Sequence, residues 1–473
     1  MQITIQVLNQ DELTQVHERS LRILVHIGVR VESAKARKIL GDAGAQVDEK
    51  RRIVRFPQTL VEESLRTAPK DFTLAGRRPG WYWPMNHGDC TLLADGEAKW
   101  VVNAETGQRL MGTKDDWLKA TQLIDALDEI GLYWRMVGSP MHLESPREKV
   151  AYWRNVFTHF TKHVQDSTET VEQSCWLLEV LQTIFGGREV VRLLKPFSIL
   201  LCPVSPLVIE GSYTDAYLQT AGWDIPVAIM PMPIMGMSSP ARLIATTVVG
   251  NCEVLAMLCL IQASSPGTPV IYAPALATTE PRTGRYTGGA VEHALLSMAV
   301  VQMARYYHLP VEASTGGTNE YVPGIQAGYE RAINWTLPTL AWPDILVGPG
   351  LFEGSTVLCY EQLLLDVEVF RHCRRLHLGI GTGKDQWLEE VIARLGPGGN
   401  FLKHPTTRDA LRSGEWHVNT LGEPEFLQKK LGLLDEVRDR IGEILKERKP
   451  LPLDEDIDRE LAQIERRAQE AVS

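Results

Sequence analysis

Several aromatic and polar side chains are predicted at or just behind the ends of strands, where α/β folds place their chemistry. Tyr272 lies within one strand-like run, and Tyr321, Phe352 and Tyr360 follow the ends of two others. The polar members are His163, which opens a strand, and Glu312, Asn319 and Glu320, which surround another. A quaternary ammonium group cannot donate hydrogen bonds, so proteins hold it with ring faces and carboxylates. Each ring taken singly is more often a core residue, but the set is typical of a site for a cationic ligand.

The segment 309–368 carries most of these residues. Its strand-like run Pro310–Ser314 is followed by Gly316 and Gly317, and Asp344–Val347 is followed by Gly348 and Gly350. A helical pattern comes after each glycine loop. Strand–loop–helix, repeated, is the unit of a parallel α/β fold.

The sequence lacks the short motifs of metal sites, phosphate-binding loops and nucleophilic catalysis. His159 and His163 are spaced as a helical ligand pair, but the zincin glutamate between them is missing. Lys384 follows three alternating glycines, yet Leu378 stands where a P-loop needs its first glycine and Asp385 where it needs Ser or Thr. The sequence has no G-x-S-x-G string and no C-x-x-C pair. We therefore expect no metal in this protein.

From about Thr113 onwards, helical patterns alternate with seven strand-like runs. A TIM barrel needs eight strands. Leu376–Ile380 is the first choice for the eighth, with Trp100–Val102 as its rival. A doubly wound open sheet is the alternative fold, although no G-x-G-x-x-G follows the first strand, as its dinucleotide-binding form requires. The prediction is a (β/α)8 barrel.

Three units follow from this pattern. Residues 1–112 are expected to form an N-terminal helical cap and a small antiparallel layer, and residues 113–394 the barrel. Residues 395–473 are expected to form a loop and a helical tail that includes an amphipathic helix over Glu425–Glu447.

The composition indicates an ordinary soluble protein, with 44% hydrophobic and 23% charged residues. A net charge of -10 argues against nucleic-acid binding. The seven cysteines have mostly apolar flanks and are interpreted as reduced core residues. The first residues lack the basic and apolar regions of a signal peptide, and the apolar run Val248–Ser264 is interrupted by Asn251, Glu253 and Gln262. We expect a cytoplasmic protein without a membrane span.

Longer strings resemble those of the trimethylamine methyltransferase family. They include MGMSSPARLIATTVVGNCEVLAMLCLIQASSPGTPVIYAP (235–274), PRTGRYTGGAVEHALL (281–296) and GLFEGSTVLCYEQLLLDVEV (350–369). The similar strings occur in the same order as in that family and cover nearly the whole chain. It implies a TIM-barrel enzyme that moves a methyl group from an amine to the cob(I)alamin of a separate corrinoid protein.

The archaeal trimethylamine enzymes of that family carry a pyrrolysine, expected near the loop Ser314–Gly317, where this sequence has ordinary residues. The resemblance therefore implies a non-pyrrolysine member, similar to glycine betaine:corrinoid methyltransferases, that acts on a quaternary amine. Glycine betaine is the first choice of substrate, ahead of proline betaine, carnitine, choline-like amines and other methylated compounds. Arg282, Arg285, His293 and His163 are the candidates for binding a substrate carboxylate.

The resemblance also implies a partner. A cobalamin-binding domain would show D-x-H-x-x-G, which the sequence lacks, so the cofactor is expected on a corrinoid protein docking at the barrel mouth. The glycine loops at Gly316, Gly317, Gly348 and Gly350 are the predicted docking face. Catalysis is expected to be positioning, with Glu312, Asn319 and Glu320 as the candidate residues, and a homo-oligomer is compatible with the sequence. Two other classes stay open: a TIM-barrel lyase acting on a small acid, and a non-enzymatic betaine-binding protein.

Overall fold

The computed structural model describes residue 3 and residues 5–94, 96–138, 146–422, 432–449 and 451–470. Eight parallel strands form its central sheet, and each pairs with the next along the barrel. In chain order they are Thr91–Leu93, Ile130–Tyr133, His163–Asp166, Phe197–Leu201, Val227–Ile229, Val270–Tyr272, Glu312–Ser314 and Ile345–Val347. The eighth strand pairs with the first. A parallel bridge between Tyr272 and Val311 joins the sixth strand to the seventh and closes the barrel.

One barrel strand was not predicted from the sequence. It is the short run Thr91–Leu93, the first of the eight strands along the chain. Leu376–Ile380 is wrong as a strand, because Leu376 lies at the end of the helix Tyr360–Leu378. Trp100–Val102 is a strand, but it belongs to a separate four-stranded sheet with Arg109–Met111, Leu351–Phe352 and Val357–Leu358. The barrel sheet thus takes a strand from the segment before residue 113.

A helix follows each barrel strand. The eight main helices are Lys114–Ala126, Pro146–His159, Val171–Phe185, Gly211–Tyr217, Leu243–Ser264, Val291–Tyr306, Ile325–Ala341 and Tyr360–Leu378. Side chains cap several of their starts. Thr113 accepts a hydrogen bond from the backbone N–H of Asp116 through its hydroxyl and donates its own N–H to the Asp116 carboxylate. Shorter elements in the loops are Arg188–Leu194, the 3-10 turns Leu218–Thr220 and Lys384–Gln386, and the paired strands Ile234–Met235 and Ala277–Thr278.

A β-hairpin closes the amino end of the barrel. Its strands, Phe72–Ala75 and Tyr82–Met85, send Leu74 and Met85 into an apolar cluster with interior residues of the barrel strands. The carbonyl of Lys195, just before the fourth barrel strand, accepts a hydrogen bond from the Ala75 N–H. Access to the barrel interior is therefore from the carboxyl ends of the strands.

The N-terminal cap is confirmed. It consists of helices Gln10–His26, Ala34–Asp42 and Gln58–Thr67 and strands Val29–Val31, Gln46–Asp48 and Ile53–Arg55, and it also pairs with Val208–Ile209 from a barrel loop. All three cap helices pack against Leu243–Ser264. Because that helix is covered on all sides, it can be apolar all round.

Within the described residues, Leu243–Ser264 is the helix long and apolar enough to cross a membrane, with a mean hydropathy of 1.9. Its most apolar window is 83% buried inside the protein. The polar residues that interrupt it have protein partners: Asn251 binds Ser20 and Tyr272, and Glu253 accepts hydrogen bonds from Ser205 and the Leu207 N–H. It is a core helix.

The C-terminal helical extension is also confirmed. Helices Glu389–Leu395 and Pro405–Ser413 lead to Leu433–Glu447 and Glu455–Glu470, which pack on barrel helices. Ion pairs fix the last two: Arg154 with Asp458, and Arg448 with Asp125. The helix predicted over Glu425–Glu447 is observed from Leu433, and residues 423–431 lie outside the described part.

Candidate active site at the barrel mouth

Side chains that point into a barrel alternate with those that point out. The interior apolar cluster contains Leu132, Leu200, Ala228, Ile271 and Ile345. The next interior position of each of these strands lies two residues further on, at the carboxyl end. These positions, with the interior residues of the third and seventh strands, form a ring at the mouth: Trp134, Gln165, Cys202, Met230, Ala273, Glu312 and Val347.

Gln165 and Glu312 are the polar pair of this ring. The amide Nε2 of Gln165 donates a 3.0 Å hydrogen bond to Oε2 of Glu312, although their strands are not neighbours in the sheet. Both side chains must therefore point into the barrel. Glu312 is fully buried, so its carboxylate acts in surroundings where charge is screened weakly.

Trp134 is the aromatic member of the ring. It is half-buried and packs against the interior apolar cluster, as Met230 does on the other side of the mouth. Extending the register His163↔Leu132 by two residues places Trp134 beside Gln165. Trp134 is thus placed at the same end of the barrel as the Gln165–Glu312 pair.

Cys202 marks where the ring opens to solvent. Its side chain is exposed, whereas five of the other cysteines are buried, and Cys175 is exposed on an outer helix. Although the side chain reaches solvent, protein atoms surround the Cys202 thiol closely. This desolvation, then the charges of Glu312 and Glu97, raises the pKa of the thiol to about 12. The thiol is therefore protonated at neutral pH, and it lies near the Glu312 carboxylate.

Arg135 lies at the rim, directly behind the second strand. Its Nη2 forms a 2.8 Å ion pair with Glu97, and the guanidinium lies 5.4 Å from the centre of the Tyr152 ring. Its Nε and Nη1 are buried and have no hydrogen-bond partner among the described residues. A permanent cation with spare donors therefore lies beside the mouth.

The predicted aromatic cage is not assembled. Tyr272 points away from the barrel interior, and its hydroxyl donates to Asn251 on the core helix Leu243–Ser264. Phe352 is fully buried beneath the guanidinium of Arg331.

Two further predicted rings lie elsewhere. The Tyr360 hydroxyl binds Asp116 at 2.9 Å, and Tyr321, which is 41% exposed, stacks under the guanidinium of Arg109. These rings belong to separate clusters outside the barrel interior. Trp134, which directly follows the strand Ile130–Tyr133, is instead an aromatic residue that packs against the interior apolar cluster.

His163 is inside the barrel but deep. Its Nε2 is 2.9 Å from the Ser198 hydroxyl and its Nδ1 is 3.2 Å from the carbonyl of Ala75 in the closing hairpin. Burial lowers its pKa to about 3, against the opposing effect of hydrogen bonds to backbone carbonyls. It is a neutral structural residue joining hairpin and barrel, away from the mouth.

Of the three other candidates for a substrate carboxylate, only His293 is enclosed. Arg282 and Arg285 lie on an exposed loop, and Arg282 pairs with Glu280 at 2.8 Å. His293 is fully buried, neither ring nitrogen has a partner among the described residues, and burial lowers its pKa to about 4. One helical turn further on, Ser297 donates to the carbonyl of Ser314, so this helix face is turned toward the end of the seventh strand.

The glycine loops are held mostly by close packing. A Cβ on Gly316 would lie 2.5 Å from Asn334, and one on Gly348, where φ is +128°, would collide with the Thr315 hydroxyl. Gly350 also has a positive φ and donates its N–H to Asp366 at 2.7 Å. Gly317 alone among the four has open space at its Cβ position.

Asn319 and Glu320 belong to the loop between the seventh barrel strand and the helix Ile325–Ala341. The carboxylate of Glu330 accepts hydrogen bonds from the Asn319 N–H and the Thr318 hydroxyl, and Glu320 donates its N–H to Thr318. Asn319 is exposed and Glu320 half-buried. Of the three residues expected to position the substrate, only Glu312 points into the barrel.

A family model described as trimethylamine methyltransferase (MTTB) matches residues 2–472. The trimethylamine methyltransferase MttB of Desulfitobacterium hafniense is 28% identical over 405 residues, covering 86% of this chain and 82% of that protein. The glycine betaine methyltransferase of D. hafniense is 27% identical over 460 residues, covering 96% and 95%.

A solved structure, the monomethylamine methyltransferase MtmB of Methanosarcina barkeri, is 13% identical, with a TM-score of 0.48 and coverage of 92% of both chains. The match to the family model spans nearly the whole sequence. The chain therefore belongs to the trimethylamine methyltransferase family and is a methyltransferase built on a (β/α)8 barrel.

Proposed function

We propose that this methyltransferase takes a methyl group from a quaternary amine that also bears a carboxylate, with glycine betaine as the first choice. The acceptor is cob(I)alamin carried by a partner corrinoid protein, and the second product is the tertiary amine. The observation that carries the proposal is the ring of interior positions at the barrel mouth, which includes a buried carboxylate, Glu312, and an indole, Trp134. A carboxylate and a ring face are what a fully methylated ammonium group requires.

Glu312 and Trp134 attract the cation and hold one methyl group toward the mouth. Gln165 fixes the Glu312 carboxylate through its 3.0 Å hydrogen bond. Attraction to the carboxylate weakens as the nitrogen loses its charge, so these residues contribute to binding and orientation more than to lowering the barrier. The apolar members of the ring, among them Met230, keep water away from the reacting carbon.

The substrate carboxylate has two candidate partners in this proposal. His293 is neutral and can donate one N–H, and Arg135 has a permanent charge with two unused nitrogens among the described residues. Arginine matches a carboxylate with two parallel N–H donors. A betaine is thereby favoured over choline-like amines, which lack the carboxylate.

The partner protein is inferred from the absence of a D-x-H-x-x-G string in this sequence. Cob(I)alamin supplies the nucleophile: a carbon–cobalt bond forms while the carbon–nitrogen bond breaks, and that electron pair remains on nitrogen. The rim fits such a group, because the exposed apolar side chains Val204, Met232 and Met237 follow the fourth and fifth strands beside the mouth. These side chains can cover a large apolar ring system.

The test is a screen of methylated amines with free cob(I)alamin, followed by absorbance for methylcobalamin and by analysis of the demethylated amine. We expect stoichiometric methylcobalamin and tertiary amine from a betaine, and little product from trimethylamine, because the sequence has no pyrrolysine. Turnover of trimethylamine without activity on any quaternary amine would contradict the proposal. Faster transfer to a cobalamin-loaded corrinoid protein than to free cobalamin would support the partner, and equal rates would argue against a docking step.

A further inference from the structure

A group of metal-ligating side chains lies on the outer wall of the barrel, away from the mouth. It consists of Glu368, His372 and His417, here named the Glu–His cluster, whose potential ligand atoms all lie within 4.8 Å of one another. Glu368 Oε1 is 3.6 Å from His372 Nε2. The imidazole rings of His372 and His417 have centroids 4.9 Å apart and planes at 86°. Two imidazoles and a carboxylate at these separations can converge on one ion.

Helix geometry positions two of the three ligands. Glu368 and His372 are four residues apart on the helix Tyr360–Leu378, so they project from the same face. One oxygen of Glu368 pairs with Arg371 at 3.1 Å, while the other faces His372. The Arg371 guanidinium is also bound to Glu129 at 2.6 Å, so its charge is shared with a second carboxylate.

The third ligand, His417, comes from residues 415–422, here named the strap. The strap follows the helix Pro405–Ser413 and crosses the helix Tyr360–Leu378. Besides His417, the strap is held by hydrogen bonds to the helix Tyr360–Leu378. The Thr420 N–H donates to Glu368 at 2.9 Å, Asn419 Oδ1 is 3.0 Å from His372 Nε2, and Arg375 donates to the Glu415 carbonyl at 3.0 Å. The ligands are therefore held in place by contacts that do not require a metal.

A second observation points to a ligand. His417 Nε2 is buried and has no hydrogen-bond partner among the described residues, although the ring is at the protein surface. A buried polar nitrogen without a partner is uncommon in folded proteins, and a bound ion satisfies such an atom.

We propose that Glu368, His372 and His417 bind one Zn²⁺ ion, which ties the strap to the barrel wall. Imidazole nitrogen with a carboxylate oxygen is a ligand set that zinc accepts in four-coordinate sites. These three residues form no short sequence motif, because the third ligand comes from a distant part of the chain. The site is structural: the cluster is on the outer face of the helix, and the reaction site is inside the barrel.

The first experiment measures metal binding by the full-length chain without a polyhistidine tag, after chelator treatment. Titration with Zn²⁺ should give one equivalent bound, and His372→Gln and His417→Gln should each weaken binding at least tenfold. His26→Gln, which alters an exposed histidine at the end of a cap helix, should leave it unchanged. No stoichiometric binding by the parent chain, or unchanged affinity in both cluster variants, overturns the proposal.

The second experiment identifies the ligands and keeps folding separate from binding. Co²⁺ substituted for Zn²⁺ should give visible bands of a nitrogen- and oxygen-ligated ion, and a thiolate charge-transfer band would place the metal on cysteine and overturn the proposal. Zn²⁺ should raise the melting temperature of the parent chain and of His26→Gln but not of the cluster variants. All four proteins should melt alike in chelator. An equal rise in the cluster variants would place the metal elsewhere.

Discussion

Gln165 on the third barrel strand donates a 3.0 Å hydrogen bond to Glu312 on the seventh, across the interior of the barrel. The bond joins two strands that never meet in the sheet, and it holds a carboxylate at the carboxyl end where the mouth opens. The proposed role of Glu312 in binding a cation depends on this pairing.

Glu312→Gln should remove the attraction for the ammonium group while keeping the size of the side chain. We expect kcat/KM for the quaternary amine to fall by about tenfold to a hundredfold, the range for losing a charged partner in a buried site. Steady-state methylation of free cobalamin measures it. Glu353→Gln, an exposed carboxylate paired with Arg109, is the matched control and should retain parental kinetics. Parental kinetics in Glu312→Gln would show that this carboxylate does not bind substrate.

Trp134→Ala should weaken substrate binding by roughly 0.5–2 kcal/mol, the range for cation–π contacts, and Trp134→Phe by less. Calorimetric titration of the betaine gives the dissociation constant directly. Tyr321→Ala serves as the control, because that ring is exposed and stacks on Arg109 outside the barrel. If Tyr321→Ala weakened binding and Trp134→Ala did not, the cation site would have to be moved to the outer sheet.

A small thiol reagent should inactivate the enzyme through Cys202, the exposed cysteine of the mouth ring. Inactivation should be slow at neutral pH, since the raised pKa leaves little thiolate, and should accelerate as pH rises. Saturating betaine should protect. Cys202→Ser should keep activity and lose the sensitivity, whereas Cys175→Ser should stay sensitive. Mass spectrometry of the modified peptide identifies the residue, and inactivation without labelling of Cys202 would refute the assignment.

Gly348→Ala should destabilise the protein by roughly 1–3 kcal/mol, the cost of one residue held in an unfavourable backbone conformation, with a further contribution from the collision with Thr315. Gly317→Ala provides the comparison within the same mouth loops, since nothing lies near its Cβ position. Denaturant unfolding of both variants measures the difference. Equal midpoints would mean that the loop relaxes around the new methyl group.

The pH dependence of stability should be less steep in His293→Met. The folded-state pKa of His293 is about 4, below its ordinary 6.5, so between these values the unfolded chain binds a proton that the folded chain does not. The stability contributed by neutral His293 is therefore complete above about pH 6.5 and is lost as pH falls toward 4.

Removing this residue should reduce the slope of the unfolding free energy by up to about 1.4 kcal/mol per pH unit in that range. Glu253, whose pKa burial raises to about 7, acts in the opposite sense and is common to parent and variant. His26→Gln should keep the parental slope. Identical slopes in His293→Met and the parent would show that His293 titrates normally in the folded protein.

The sequence was sufficient for the barrel because seven strands have clear apolar runs between helical patterns. The first strand escaped detection because Thr91–Leu93 is only three residues long and follows an antiparallel hairpin, so it shows no period of its own. What marks it as a barrel strand is pairing with Ile345–Val347, far along the chain. Such pairing leaves no local signal.

The site was harder to predict for a related reason. A shift of one residue along a strand moves a side chain from the interior to the exterior, and this parity turns Tyr272 outward and Ala273 inward. Glu312 was found because it lies beside a glycine-rich loop. Gln165 was missed because its importance comes from a partner on a distant strand, and Trp134 because it follows a strand that carried no other chemical signal.

The hairpin that closes the amino end gives the barrel a single described entrance, and this fixes the order of events. In the proposed reaction, the small amine and the protein that brings the acceptor would both use the mouth. The amine would have to enter before the acceptor protein covers it, and the demethylated product would leave only after that protein departs. Initial-rate patterns should accordingly be those of an ordered ternary complex, in which excess corrinoid protein traps product in the barrel and inhibits turnover.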